Sequence, residues 1–462
     1  FSSPTFLYSG DEPGNPQLGF RSGPPDVYYE ALNIYQDADR FTGSLQVNHR
    51  PASWLDHRLI VGVDRLAEDN QEQAGRNDPL GARYTAFSYV GDPSGGYLDV
   101  STRDATNTTI DYAANATFTL NPAWRSITSA GGQFYGRRTL TRGFYAERFP
   151  AAGLLSLAAA EVQQLDADNV IENNTVGAFV QQQMVWNDRL FLTAAVRSDD
   201  NSAFGTNFDA VTYPKFSASY VISEEPGVPM PSFVNTLRLR AAYGASGLQP
   251  GAFDAIRTYI PVGGQVTPLS PGNPDLGPER STELELGFDA ALLEDRLSLD
   301  VTYFDGTTED AILSRLSPPS EGFTGLQFFN AGRVDRSGLE WLIRATPLQR
   351  ENVSLDLSLS GSVNDYVIRD LGEGTDRVSL SSQVQHVEGY APGAWWDRRV
   401  VSATKTVNPD NSVTISDVMC DDGDGGTVAC ASAPRVFLGN SVPTHEGGLN
   451  AGLTLFGNLR VN

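Results

Sequence analysis

Apolar and polar residues alternate along much of this chain, in segments of about ten residues that short turns join in pairs. The clearest pair spans 283–303, where Leu284 and Leu286 fall on one side of an extended strand and Glu283 and Glu285 on the other. This pattern predicts antiparallel strands with one face suited to hydrocarbon and the opposite face suited to water.

The same alternation predicts about 13 strands, a number that fits part of a membrane barrel. The predicted strands cover 41–50, 57–66, 109–120, 125–138, 172–185, 189–199, 212–223, 235–246, 280–291, 296–306, 336–346, 351–363 and 446–455.

The connections between these strands are of two kinds. Seven are short, at 51–56, 121–124, 186–188, 224–234, 292–295, 347–350 and 456–458. The others are long, polar and rich in Gly and Asp, at 67–108, 139–171, 200–211, 247–279, 307–335 and 364–445. Short turns at one rim and long loops at the other are typical of the periplasmic and extracellular ends of outer-membrane barrels.

We therefore predict an all-β fold, a transmembrane antiparallel up-and-down β-barrel of which this chain forms a part. Residues 1–40 are expected to be an extracellular loop or leader, and 41–462 the barrel domain, with 364–445 as its long extracellular loop. The alternative, a soluble β-sandwich, would not sort its loops in this way, and its strands would average about 5–6 residues.

Composition narrows the function. Hydrophobic residues make up 40% of the chain, but no run approaches the 18 or so apolar residues of a spanning helix, which excludes a helical membrane protein. A mean hydropathy of -0.27 is compatible with a barrel, whose hydrophobicity is hidden in the alternation. Because Asp and Glu number 56 against 33 Lys and Arg, the formal charge of -23 makes nucleic acid an unfavourable partner.

Charged residues also lie on the polar side of the predicted strands. Basic side chains cost a few kcal/mol each when they face lipid near the bilayer midplane, so the barrel lumen is expected to be polar, and either to conduct or to hold a plug. The residues concerned are Arg238, Arg240, Glu283, Glu285, Asp289, Asp300 and Asp356.

Aromatic residues recur at the short turns. Trp54, Trp124, Trp186 and Phe456 lie at or beside four of them. Amphipathic rings settle at the boundary between hydrocarbon and water, so we expect a membrane-interface girdle. The alternative is that each ring covers the end of its own hairpin.

The two cysteines, Cys420 and Cys430, lie in the longest polar loop at a separation that a disulfide could close in an oxidising compartment. Free surface thiols are the alternative. Between them Asp421, Asp422 and Asp424 could gather oxygen ligands around a structural Ca²⁺, although the register is not that of an EF-hand. A solvated acidic turn is the other interpretation.

An enzymatic function is not indicated. The chain has four histidines, and neither the H-E-x-x-H metal motif nor the G-x-S-x-G spacing of a nucleophile elbow is present. P-loop and dinucleotide fingerprints are also absent from the sequence, so no cofactor beyond the candidate Ca²⁺ is expected.

The ends of the sequence carry further information. The chain begins at Phe1 without a signal peptide, and it stops just as a new alternating segment starts after the turn at 456–458. We expect a chain that is truncated at both ends.

Several segments resemble the barrel of the SusC/RagA-like TonB-dependent outer-membrane receptors. They are DRLFLTAAVR (188–197), SAFG (202–205), YPKFSASYVISEE (213–225), LRLRAAYG (237–244), NPDL (273–276) leading to ELELG (283–287), NAG (330–332) leading to GLE (338–340), and EGYAPG (388–393). The family's plug domain and TonB box, and its last strands, have no counterpart here. A complete member would close as a plugged barrel of about 22 strands.

The resemblance implies a receptor in the outer membrane of a Gram-negative bacterium that imports large nutrients, either glycans or oligopeptides. It also implies a SusD-like surface lipoprotein as lid and energy from the TonB–ExbB–ExbD complex through the N-terminal region. Two alternatives stay open: a passive porin-like barrel without energy coupling, and a secreted all-β binding protein.

Aromatic residues in the long loops are the candidates for ligand contact. Flat rings suit sugar faces or apolar peptide side chains, and loops carry function on barrels. The residues concerned are Phe328, Phe329, Tyr390, Trp395 and Trp396. The alternative is that these rings pack the loops against each other.

Overall fold

A computed structural model describes residues 33–76, 95–208, 210–262, 264–317, 319–372, 375–409 and 413–462. Within them the chain forms strands and a few short 3₁₀ turns. The strands are β1 Asn33–Ala52, β2 Leu55–Ala74, β3 Tyr97–Asn121, β4 Trp124–Glu147, β5 Val162–Trp186, β6 Leu190–Asn201, β7 Val211–Val221, β8 Val234–Leu248, β9 Thr258–Val262, β10 Gln265–Ser270, β11 Glu279–Leu292, β12 Leu297–Glu309, β13 Ile312–Leu316, β14 Leu326–Asn330, β15 Arg333–Arg350, β16 Val353–Asp370, β17 Arg377–Ser379, β18 Val384–Val387, β19 Ala394–Asp397, β20 Val400–Val407, β21 Val413–Asp421, β22 Thr427–Ala429, β23 Val436–Gly439, β24 His445–Leu455 and β25 Leu459–Val461.

The principal sheet has 14 strands in the order β1-β2-β3-β4-β5-β6-β7-β8-β11-β12-β15-β16-β24-β25. Neighbours in the sheet are thus neighbours in the chain once the strands inside the long loops are set aside. The pairings from β6 to β25 are antiparallel. This meander confirms the predicted all-β, antiparallel architecture.

Each of the 13 predicted strands is present in the sheet, and β25 is the new segment seen after 456–458. The strands of the first half are longer than predicted: β2 ends at Ala74, β3 begins at Tyr97, β4 ends at Glu147 and β5 begins at Val162. Residues 67–74, 97–108, 139–147 and 162–171 are therefore strand, where loop was predicted.

These extensions lack the apolar alternation because cross-strand ion pairs take its place. Arg65 donates to Asp104 across β2 and β3, and Arg142 donates to Asp168 at 3.4 Å across β4 and β5. A strand that carries charges on its faces gives no hydrophobic periodicity to detect.

Other boundaries were also wrong. β16 continues to Asp370, so residues 364–370 are strand where loop was predicted. Residues 347–350 belong to β15, and the turn lies at 351–352. Pro347 stands where the register of β15 and β16 shifts, between Ala345 and Leu348, a bulge that accommodates a residue without a backbone N–H. Residues 33–40, assigned to a loop or leader, are the start of β1, while 1–32 lie outside the described residues.

The tight turns depend on left-handed backbone conformations. Between β11 and β12, Leu293, Glu294 and Asp295 have φ of 57°, 58° and 64°, which is uncommon for residues other than Gly. Hydrogen bonds from the preceding hairpin hold this turn: Leu293 N donates to Phe233 O at 2.8 Å, and Glu294 N to the Asn235 side chain at 2.9 Å.

The long loops are more ordered than their polar sequences suggested. Each of four small sheets is built wholly from loop residues: β9 with β10, β13 with β14, β17-β18-β19-β23, and β20-β21-β22. No helix in the described part of the chain is long and apolar enough to cross a membrane.

The chain divides into two compact units. The first consists of Phe1–His49, His57–Ala113 and Gly132–Val176. Its described part contains a small core of Leu98, Ala146, Phe149 and Ala160.

The second unit consists of Arg50–Asp56, Ala114–Gly131 and Gly177–Asn462. It contains the turn ends of the first strands together with β6 to β25. Its strands have two chemically distinct faces. The register aligns Leu192, Ala218, Ala241 and Leu286 on one face.

Large apolar side chains on that face are exposed rather than buried. Leu286 is 46% exposed, Tyr303 44% and Leu339 41%, and these three residues are directly in register across β11, β12 and β15. A contiguous exposed apolar surface of this kind indicates contact with a membrane or a partner, and in a meander of strands it fits the lipid-facing side of a barrel. We call it the apolar face, and the opposite side the polar face.

Leu286→Arg is expected to destabilise the folded protein in bilayers by about 2–4 kcal/mol, because the guanidinium would enter hydrocarbon near the bilayer midplane. The measurement is equilibrium unfolding by guanidinium chloride in lipid vesicles. Ser360→Arg on the polar face is the matched control, and we expect little change there. If both variants lower the free energy of unfolding equally, the assignment of the apolar and polar faces is contradicted.

Candidate functional site

The polar face carries an ion-pair network at the centre of the second unit. Arg238 donates to Asp289 at 2.6 Å, and Arg240 donates to Asp300 at 2.6 Å and to the Thr302 hydroxyl at 3.1 Å. The register places Asp289 opposite both Arg238 and Asp300. The charges predicted to line a polar lumen therefore neutralise each other across three strands.

Gly287 makes this network sterically feasible. A Cβ atom there would lie 2.7 Å from Val301 O and 3.2 Å from Arg240 Nη2, distances too short for an ordinary contact. Without a side chain at Gly287, the Arg240 guanidinium can reach β12 across β11. The ELELG segment, recognised by resemblance, thus has a physical role that the alternation alone did not reveal.

Two more of the predicted polar-face residues have partners of their own. Glu283 accepts a hydrogen bond from Arg336 at 2.9 Å, and Asp356 accepts one from Thr346 at 3.0 Å. The sequence analysis did not identify Arg336. Its partner Glu283 lies 53 positions earlier in the chain, and the sequence alone does not show that the two side chains meet.

Beside the network lies a polar recess of about 530 Å³. Carboxylates and hydroxyl groups line its wall, and glycines leave space at its floor. The lining includes Asp300, Thr302, Glu340, Ser360, Ser362, Glu446, Gly447 and Gly448. Trp341 and Leu342 also line it, so the recess combines carboxylates with apolar surface.

Hydrogen bonds join three successive long loops. Gly205 N donates to Leu276 O at 2.8 Å, and Asn207 N donates to Pro274 O at 2.9 Å. The Asn330 amide closes the arrangement, since it donates to Gly277 O at 2.9 Å and accepts from Gly277 N at 2.7 Å. We call residues 201–208, 273–277 and 330 the loop junction.

The loop junction explains why SAFG, NPDL and NAG occur in this order. A Cβ at Gly205 would lie 2.2 Å from Pro274 O, so only glycine allows the two loops to approach this closely. Leu276 is fully buried. These motifs therefore hold loops together rather than contact a ligand themselves.

The EGYAPG segment anchors the longest loop to β16. Gly389 N donates to Ile368 O at 2.8 Å, and Ile368 N donates to Tyr390 O at 2.9 Å. Glu388 accepts a hydrogen bond from Leu371 N at 2.9 Å. The turn before β19 is thus fixed with respect to the principal sheet.

The structure brings together two of the five candidate ligand-contacting aromatics. The rings of Tyr390 and Trp396 lie 4.9 Å apart, and both contact Phe437, at 4.9 Å and 5.8 Å. Trp396 is buried, whereas Trp395 on the opposite face of β19 is 45% exposed. Phe437 was missed, because its pairing with Trp396 depends on β23, which lies 40 residues further along the chain.

Phe328 and Phe329 lie elsewhere, on β14, and both are half-buried. Arg315 covers the Phe329 ring at 5.1 Å from its centroid. Arg377 covers Trp396 in the same manner at 4.8 Å, and Arg257 covers Phe323 at 5.5 Å. The alternation gave no indication of these arginines.

Cys420 and Cys430 form a disulfide, with Sγ atoms 1.99 Å apart. Within the loop that it closes, Asp422 Oδ1 accepts hydrogen bonds from Asp424 N at 3.0 Å and Gly426 N at 2.8 Å. These backbone amides lower the pKa of Asp422 below its usual range.

Two of the three aspartates accept hydrogen bonds from backbone amides. Asp421 accepts from Gly423 N at 2.8 Å, and no group of three His, Cys, Asp or Glu side chains in the described residues is arranged to hold a metal ion. The candidate Ca²⁺ site formed by Asp421, Asp422 and Asp424 stays a prediction, with the acidic turn as its alternative.

The turn aromatics lie at the same ends of their hairpins. Trp54 stacks on Phe118 at 5.3 Å, and Trp124 lies 6.4 Å from Trp186. Phe456 is 76% exposed in the turn between β24 and β25. The rings are placed as a girdle would require, and the girdle itself stays a prediction.

Residues 2–413 match the family described as TonB dependent receptor-like, beta-barrel. TonB-dependent receptor P39 of Formosa agariphila is 31% identical over 195 residues, which cover 41% of this chain and 19% of that protein. TonB-dependent receptor SusC of Bacteroides thetaiotaomicron is 22% identical over 267 residues, covering 52% and 26%.

Among solved structures, the RagAB peptide importer in its open-open state is similar, with a TM-score of 0.78 at 18% identity. The match covers 93% of this chain and 46% of that one. The chain thus spans about half the length of the RagAB chain that it resembles, and this likeness shows a shared fold.

Asp289→Asn is expected to lower the free energy of unfolding by about 1 kcal/mol, because two guanidiniums lose their shared carboxylate in a partly solvated position. Asp365→Asn is the control, since Asp365 has no ion pair within the described residues. Chemical unfolding of the purified proteins in vesicles gives both values. If Asp365→Asn lowers the free energy of unfolding as much as Asp289→Asn does, the ion-pair network has no specific stabilising role.

The longest loop is expected to loosen at acidic pH. His386 Nδ1 accepts a hydrogen bond from Gly393 N at 3.0 Å, and burial lowers the pKa of His386 below its ordinary value. The folded loop therefore favours neutral imidazole. Its stability is fully present above about pH 6.5, decreases as the pH falls below that value, and reaches its minimum below the lowered folded-state pKa.

Hydrogen exchange of residues 384–397, corrected for intrinsic rates, measures this effect as decreased protection on acidification. His386→Asn keeps an acceptor without a titrating group and should give a flat profile. An unchanged pH profile in that variant would show that another group is responsible.

Proposed function

The chain belongs to the TonB-dependent receptor-like β-barrel family of the Gram-negative outer membrane, and we propose that the whole protein imports large nutrients, either oligopeptides or glycans. The observation that carries this proposal is the family match over 2–413. It coincides with a meander of long strands that has an exposed apolar face and a charged polar face.

Members of this family are transporters rather than enzymes, which agrees with the lack of catalytic motifs in the sequence. Membership of this family also argues against the two other interpretations, a soluble β-sandwich and a secreted binding protein. A passive porin-like barrel is the alternative that the experiment below addresses.

The centre of the polar face suits such a role because its charges are paired. Arg238, Arg240, Asp289 and Asp300 neutralise one another, so this part of the wall presents fixed dipoles rather than a strong net field. A wall of this kind can accommodate a removable plug or a passing polar cargo without holding either tightly.

Two relatives suggest the nature of the cargo. RagAB is a peptide importer, and SusC is a TonB-dependent receptor. By analogy we infer oligopeptides or glycans as cargo, a SusD-like surface lipoprotein as partner, and the TonB–ExbB–ExbD complex as the source of energy.

The rings of Tyr390, Trp395, Trp396, Phe328 and Phe329 are proposed to contribute to cargo capture from the loops. Trp395 is the most accessible of them to a ligand, since it is exposed on β19. Trp396 and Phe329 would act beneath the arginines that cover them.

Uptake by the whole protein is expected to require TonB. The experiment compares accumulation of fluorescent oligopeptides and oligosaccharides in cells with and without an intact TonB–ExbB–ExbD complex, with the receptor gene present or deleted. We expect receptor-dependent uptake that is lost without TonB. Receptor-dependent uptake that persists at the same rate without TonB would establish the passive barrel instead.

The partner is tested in the same cells. A tagged receptor should retain a surface lipoprotein through detergent purification, and mass spectrometry identifies it. Recovery of the receptor without any lipoprotein would contradict the proposed lid.

A further inference from the structure

Some arginines of this protein have carboxylate partners, and three in the loops have aromatic ones. On the polar face, Arg240 pairs with Asp300 at 2.6 Å and Arg336 with Glu283 at 2.9 Å. The loop arginines Arg257, Arg315 and Arg377 are instead stacked over aromatic rings.

All three stacked arginines are exposed. In the part of the chain that the structure describes, none of them has a carboxylate within ion-pair distance. This is not for lack of carboxylates, because Asp and Glu number 56 against 33 basic residues. The loops thus hold cations unpaired in a chain where most strand arginines are neutralised.

Stacking leaves the guanidinium ready for a planar anion. An aromatic ring contacts the guanidinium without using its N–H donors, and those donors not bound elsewhere can pair with the two oxygens of a carboxylate. Arg315 is also held by Gln327, whose side-chain oxygen accepts from Arg315 Nη2 at 3.0 Å. Its orientation is therefore fixed before any ligand arrives.

The rings beneath the arginines are themselves well supported. Trp396 is 6% exposed and packs against Tyr390 and Phe437. Phe323 is carried by the segment in which Gly325 N donates to Leu269 O at 2.7 Å. Such support lowers the entropy that a binding arginine must lose when it engages a ligand.

The three stacked arginines also belong to loops that are connected to one another. The side chain of Gln327 donates to Gly272 O at 3.2 Å, which joins the loop of Arg315 to that of Arg257. A Cβ at Gly372 would lie 2.8 Å from Ala331 Cβ and 3.9 Å from the Phe329 ring. The loop that carries Arg377 therefore begins directly beside the ring that supports Arg315.

From this arrangement we infer that Arg257, Arg315 and Arg377 bind carboxylate groups of the cargo, so that the imported nutrient is acidic. This inference rests on the proposed import function and names its substrate class. The carboxylates can belong to Asp- and Glu-rich peptides or to uronic acids in a glycan, and the experiment distinguishes the two sources.

The long-range field of the protein makes such arginines necessary for an acidic cargo. A formal charge of -23 repels anions at a distance, so an acidic ligand needs local cations with matching hydrogen-bond donors in order to bind. Ionic strength should also reduce its binding, because the contacts are exposed charge pairs.

The experiment uses the full-length protein, purified in detergent with the subunits that it retains. Four labelled probes are titrated: capped pentaglutamate, capped pentaglutamine, trigalacturonate and the methyl ester of trigalacturonate. The second and fourth probes match the first and third in size but carry no charge. Two triple variants are made. One has Gln and the other Lys in place of Arg257, Arg315 and Arg377.

We expect at least one acidic probe to bind the wild type about tenfold or more tightly than its neutral match. The triple Gln variant should lose that preference, and the triple Lys variant should retain only part of it, because Lys lacks the planar fork. Arg350→Gln, at the turn end of β15, is the control and should keep the preference in full.

If the triple Gln variant loses only the preference for pentaglutamate, the cargo is an acidic peptide. If it loses only the preference for trigalacturonate, the cargo is a uronate glycan. If it loses both, the arginines recognise the carboxylate that the two probes share. The inference is overturned if neither acidic probe is preferred by the wild type, or if the triple Gln variant keeps the preference. Heat-modifiable electrophoretic mobility verifies that each variant is folded.

The import function can fail independently of this inference. If TonB-dependent uptake of neutral probes persists while no acidic preference exists, the importer assignment stands and the substrate class is wrong. If acidic probes bind through the three arginines but uptake never depends on TonB, the proposed energy coupling is wrong instead.

Discussion

Backbone hydrogen bonding in hydrocarbon is the constraint on which this structure depends. Lipid offers no partner to a peptide N–H or C=O, and each group left unpaired costs several kcal/mol. The 14-stranded meander meets this requirement strand by strand, because each paired strand supplies the partners of its neighbours. Because the backbone groups pair with each other, few side chains are needed as their hydrogen-bond partners. The side chains can therefore divide into an apolar face and a polar face.

That division determines where chemistry can reside. On the apolar face, side chains such as Leu286 and Leu339 are exposed because their solvent is lipid. On the polar face, charges occur in networks such as the one around Asp289, where each member has a partner. Arg377, which has no carboxylate within ion-pair distance among the described residues, lies instead in a loop, where water or a ligand can solvate it.

The period-two alternation predicted the strands that lie within hydrocarbon, because there one face must be apolar. Beyond that zone the prediction failed: in the outer parts of β2 to β5, pairs such as Arg65 with Asp104 replace apolar residues and the alternation disappears. Pro347 was misread for a related reason, since a proline usually ends a strand and the sequence does not show the bulge that accommodates it. The loop aromatics were recognised as important, but their covering arginines and the Trp396–Phe437 pairing arise from contacts between distant segments.

The loop junction has a consequence for how this protein can diversify. Gly205, Pro274 and Gly277 join three loops through their main chain and the Asn330 side-chain amide, so each loop can vary only outside these positions. A loop transplanted from a homologue that keeps the same motif preserves the junction, whereas one that lacks it leaves the donors and acceptors of the other two loops unmatched.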